Sequence, residues 1–68
     1  MMKIIDEITG EVITIDDYMS AYKDAKSRVK FHNSEFTYAN GSKHLPQDAE
    51  LIDNGDGLVI KRREHNGK

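Results

Sequence analysis

The stretch from Asp53 to Glu64, DNGDGLVIKRRE, carries the carboxylates and glycines from which calcium loops are made. Such a loop needs oxygen ligands on alternate residues, a glycine at its sharp turn and a bidentate glutamate to close it. Counted from Asp53, Glu64 falls at the closing position. Gly55 and Gly57, however, stand where ligands are required, and the branched Leu58 stands at the turn. The segment reads instead as a tight turn over Asp53–Gly57. His32, His44 and His65 could offer imidazoles to a metal, but none forms a pair at helical i, i+4 or strand-alternating spacing. The nearest approach, His32-x-x-Glu35, falls in an expected loop, so no metal or other cofactor is expected.

Catalytic chemistry finds no better footing. Ser20, Ser27, Ser34 and Ser42 lack the glycine-flanked elbow that exposes and activates a nucleophile. The carboxylate pairs Asp6/Glu7 and Asp16/Asp17 have simpler roles at a turn and a helix start. A general acid needs burial to raise its pKa, and so short a chain rarely encloses a pocket. The expectation is a protein that is not an enzyme.

Charge is the more informative signal. The net charge of −2 hides a segregation along the chain. Asp6, Glu7, Glu11, Asp16, Asp17 and Asp24 come from adjacent early elements and can form an acidic face for a basic protein partner. Lys26, Arg28 and Lys30 close the central segment, and Lys61, Arg62 and Arg63 close the last one. If the fold brings these two clusters together, they make a patch able to neutralise phosphates. The simplest account of both sets is helix-dipole pairing and ordinary solvation of strands. Exposed strand edges are a third route to a partner, through backbone hydrogen bonds.

These side chains must be positioned by something, and the segment Asp16–Lys30, DDYMSAYKDAKSRVK, is the element that organises the rest. Tyr18, Tyr22, Ala25 and Val29, with Met19 and Ala21 beside them, recur at helical spacing and make one apolar stripe. Thr14 or Asp16 can cap its start. Acids lead it and bases end it, as the peptide dipoles favour. Phe31-His32-Asn33-Ser34 breaks the period, so the helix should stop near Lys30.

Before it, Lys3–Asp6 and Glu11–Ile15 read as a β-hairpin closed at Gly10, with Asp6 accepting from its own turn amides. Ile13 and Ile15 point at the core, joined by Ile4 or Ile5. After the helix, Phe36–Ala39 and Ser42–Leu45 read as a second hairpin across Asn40-Gly41, the strongest short hairpin signal a sequence offers. Residues 47–52 suit either a short helix after Pro46 or a strand, and strand is the preferred reading. Leu58–Arg63 is a strand whose three consecutive apolar residues suggest a buried place in the sheet.

The result is a small single α+β domain over residues 1–64, ββα followed by further antiparallel strands, with one helix on one sheet face. Residues 65–68 read as a frayed tail. A chain of 68 residues supports a single, marginal core, and without cysteine it has no disulfides to reinforce it. Good packing or a homo-oligomer must serve instead. The absence of cysteine fits a reducing compartment, and no apolar run is long enough to cross a bilayer, so a cytoplasmic protein is expected. The leading expectation is a non-enzymatic protein-binding or regulatory module, of the size that phages and mobile elements encode as accessory inhibitors. The alternative is a nucleic-acid-binding module using the two basic clusters.

Overall fold

The computed structural model describes residues 1–64, and the tail expected at residues 65–68, with His65, lies outside them. Six strands and one helix follow in the order β1 (Met2–Asp6), β2 (Glu11–Ile15), α1 (Tyr18–Asn33), β3 (Phe36–Thr37), β4 (Lys43–His44), β5 (Ala49–Asp53) and β6 (Gly57–Arg62). The α+β class and the single helix against the main sheet match the sequence reading.

β1 and β2 form the expected hairpin, with Ile4 opposite Ile13 and Asp6 opposite Glu11. Gly10 closes it at φ 86°, where any side chain would be strained. The choice between the two early isoleucines is settled by the pleat: Ile4 is fully buried under the helix and Ile5 faces away from it. Residues 49–53 are a strand, as preferred. β5 and β6 pair antiparallel, with Ile52 opposite Val59 and Leu51 opposite Ile60.

The four-stranded sheet has the order β2-β1-β6-β5. Its central pair, β1 and β6, runs parallel, with Ile4 beside Leu58 and Asp6 beside Ile60. The run Leu58-Val59-Ile60 therefore lies in an interior strand. The second hairpin forms, but as a separate two-stranded ribbon: β3 and β4 pair only with each other, through Phe36–His44 and Thr37–Lys43.

The helix begins and ends later than its periodicity implies. Asp17, not Thr14 or Asp16, is the N-cap, accepting at 2.8 Å from the Ser20 amide. Asp17→Ala should lower stability by about 1 kcal/mol, read as a shift in the thermal unfolding midpoint. At the other end the helix continues through His32 and Asn33. Asn33 explains why it can: its side-chain amide donates to the Ala49 carbonyl at 3.0 Å and accepts from the Ala49 N–H at 2.7 Å. A residue with low helix propensity is thus repaid by docking the helix end onto β5.

The apolar stripe is also rotated from its expected place. Ala21, Ala25 and His32 are the buried helix residues, with Tyr22 and Val29 packed at their side. Tyr18 and Met19 are exposed, and the Tyr18 hydroxyl donates to Asp53 at 2.7 Å. The core is small: Ile4, Ala49, Leu58 and Ile60 from the sheet meet Ala21 and Ala25 of the helix. Alanines let the helix lie close, and the polar group they surround becomes correspondingly important.

Candidate functional site

That polar group is Asp6. The pleat that buries Ile4 also turns Asp6 towards the helix, where its side chain is fully buried. Oδ1 accepts from the amides of Ile8 and Thr9 at 3.1 and 3.2 Å, which is the turn role expected of it. Oδ2 accepts from Arg28 Nη1 and from His32 Nε2, both at 2.9 Å. Burial pushes the carboxyl's pKa up. The hydrogen bonds from His32, the Thr9 amide and Arg28 outweigh burial and hold it below the ordinary carboxylate value.

Arg28 and His32 reach Asp6 together because they are four residues apart on one helix, so both look down at the sheet. Arg28 is shared further, with Glu11 at 3.0 Å and Asp24 at 3.7 Å. Three of the six acids assigned to an acidic face therefore converge on one arginine. Asp6 is inside the protein and not at a surface, Glu11 and Asp24 flank Arg28, and Asp17 caps the helix. Glu7 and Asp16 remain exposed.

His32 belongs to the last helical turn and not to a loop. Facing a carboxylate that accepts, Nε2 donates, and Nδ1 is enclosed without a hydrogen-bond partner. Ser27 lines the same groove as His32. Among the described residues, no group of three or more histidine or acidic side chains could hold a metal ion.

The groove is about 370 Å³, lies between the β1–β2 turn and α1, and is lined by Thr9, Glu11, Ser27, Arg28, Phe31 and His32. No protein-family model, curated protein or solved structure matches this chain. Function must be read from the geometry of the site.

Beyond the groove, Phe31 opens an aromatic cluster with Phe36, Tyr38 and His44. His44 stacks on Phe36 with ring centroids 4.6 Å apart, and lies equally close to Phe31. Its Nε2 donates to the Phe31 carbonyl at 3.1 Å, tying the ribbon to the helix end. Tyr38 meets Phe36 edge-on at 5.1 Å. The cluster is held firmly yet poorly covered: Phe31 and Tyr38 are each 45% exposed.

The expected basic clusters are redistributed. Arg28 turns inward, whereas Lys26 and Lys30 stay on the outer face of α1, where Lys23 joins them at spacings of three and four residues. Lys26 lies over the Tyr22 ring at 5.5 Å. In β6 the pleat sends Lys61 to the open face of the sheet and Arg62 to the helix side. Arg63 pairs with Asp48 at 3.7 Å. The six residues do not form one patch. The signal that could have revealed the outer row was present: Lys23, Lys26 and Lys30 share one helical face once Ala21 and Ala25 define the other.

Proposed function

We propose that this protein is a small non-enzymatic binding module, working in the cytoplasm as a regulatory or inhibitory accessory. Its working surface is the exposed aromatic cluster of Phe31 and Tyr38 with the adjoining groove. The carrying observation is that these side chains are exposed while His44 and Phe36 fix the ribbon against the helix. Rigid aromatic groups contribute large contact area at low entropic cost, which is why they dominate binding hot spots. Lys30, the last of the outer lysine row, immediately precedes Phe31 on α1, so the partner that fits is an acidic protein segment with an apolar anchor for the groove. The composition supports the cellular setting: the chain has no cysteine, and among the described residues no helix is long and apolar enough to cross a membrane. A phage or mobile-element origin rests on chain size alone.

The same lysine row beside exposed rings favours one second reading, binding of single-stranded nucleic acid by phosphate contacts and base stacking. One experiment separates them. The tagged wild type and a Phe31→Ala/Tyr38→Ala variant are used to capture partners from native lysate, with and without nuclease. A discrete protein that resists nuclease and is captured at least about tenfold less by the variant supports the proposal. Capture that vanishes with nuclease and weakens steeply with salt moves the nucleic-acid reading to first place. Equal capture by both proteins removes the aromatic surface from the function.

A further inference from the structure

We propose that two copies of this chain associate face to face through the side of the sheet that the helix leaves uncovered. One apolar residue from each strand of the four-stranded sheet lines up there in register. Val12 of β2 is opposite Ile5 of β1, Ile5 is beside Val59 of β6, and Val59 is opposite Ile52 of β5. All four lie on the face away from α1, because their neighbours Ile4, Leu58 and Ile60 are the buried ones. Ile5 is 36% exposed and Val12, near the sheet edge, is 59% exposed. The row is a band of β-branched side chains crossing the whole sheet.

Charged residues border the band, and their arrangement suits a second copy of the same face. Lys3 lies on one side of it. Glu7, Lys61 and Glu50 lie on the other, Glu7 continuing the alternation of β1 with its amide donating to Ile60 at 2.8 Å. Among the described residues, Lys3, Glu7, Glu50 and Lys61 make no ion pair within the chain. A two-fold axis along the strands, between β1 and β6, sets Ile5 against the partner's Val59 and Val12 against the partner's Ile52. The same rotation sets Glu7 against the partner's Lys61, and every contact occurs twice. Sheets stack this way in sandwiches, with strands crossing at about 30°.

The area sets the strength. Four short strands about 4.8 Å apart present roughly 320 Å² of flat face, well below the ~800 Å² per partner of a standard interface. The dimer is therefore weak, with a dissociation constant on the order of 10–100 µM. It buries a broad apolar surface that the helix leaves open, which a domain with so small a core has reason to do.

The test is sedimentation equilibrium across that concentration range on the wild type, Glu7→Lys, Lys61→Glu and an equimolar mixture of the two variants. Far-UV circular dichroism confirms that each is folded. The wild type should rise from 7.8 kDa towards twice that mass. Each variant alone should associate at least about tenfold more weakly, because like charges then meet across the axis. The mixture should recover the wild-type constant, since each altered residue now faces an opposite charge on the other copy. No change confined to one chain produces that recovery. A wild type that stays at 7.8 kDa throughout overturns the proposal, as does a wild-type dimer that the single variants leave intact or the mixture fails to restore. The surface is distinct from the aromatic cluster, so the outcome is independent of the proposed function.

Discussion

Asp6→Asn should cost about 3 kcal/mol or more, the loss expected when one partner of a buried ion pair is removed. The substitution preserves shape, so the loss isolates charge and acceptor count. All four groups around the Asp6 carboxylate are donors: two amides on Oδ1, and Arg28 and His32 on Oδ2. An asparagine offers one acceptor oxygen, and its NH2 must confront either the amides or the arginine and histidine. A domain of this length has a total stability of roughly 3–10 kcal/mol. The variant should therefore lose much of its urea midpoint, or be unfolded at room temperature. A midpoint equal to that of the wild type would show that the network contributes nothing.

Acid titration checks the same group without a mutation. The folded pKa of Asp6 is held below its ordinary value of 3.8. Its contribution is therefore complete above that value and is lost as pH falls towards and through the lower folded pKa. The stability difference between wild type and Asp6→Asn should stay constant near neutrality and narrow in acid. Asp53 shifts in the same direction, through the Tyr18 hydroxyl and the Gly55 amide, but it is exposed and contributes little.

The local elements were legible because local chemistry specifies them. Asn40-Gly41 and Gly10 mark their turns, and the spacing of Tyr22, Ala25 and Val29 marks the helix. What escaped the sequence are the features decided by residues far apart. The parallel pairing of β1 with β6 joins the two ends of the described chain, and no neighbour of Ile4 or Leu58 encodes it. The stripe rotated because Arg28 and His32, polar by composition, are drawn beneath the helix by Asp6, which leaves Tyr18 and Met19 outside. The turn role of Asp6, accepting from the Ile8 and Thr9 amides, is local and legible. The inward direction of Asp6 follows only once Ile4, and not Ile5, is known to be buried. The acidic and basic blocks looked separate along the chain because the contact that merges them, Arg28 with Asp6 and Glu11, spans two elements.

The parallel pair also marks the second most sensitive position. Gly57→Ala should destabilise by about 2 kcal/mol, through overpacking. A Cβ at residue 57 would lie 2.5 Å from the carbonyl oxygen of Lys3, its neighbour across the pair. That oxygen is backbone, so no rotamer change relieves the contact. β1 and β6 must separate locally, or the Asp53–Gly57 turn must shift. The control is Gly55→Ala, where the added methyl meets nothing within 4 Å and the cost is only that of φ 89°, about 1 kcal/mol. Urea unfolding of both variants should place Gly57→Ala clearly below Gly55→Ala. The reverse order would mean that the ends of β1 and β6 are not held together as tightly as the register requires. Because Gly57 enters β6 beside Lys3, the substitution acts where the last strand joins the first, the one junction in the sheet without a short connection to hold it.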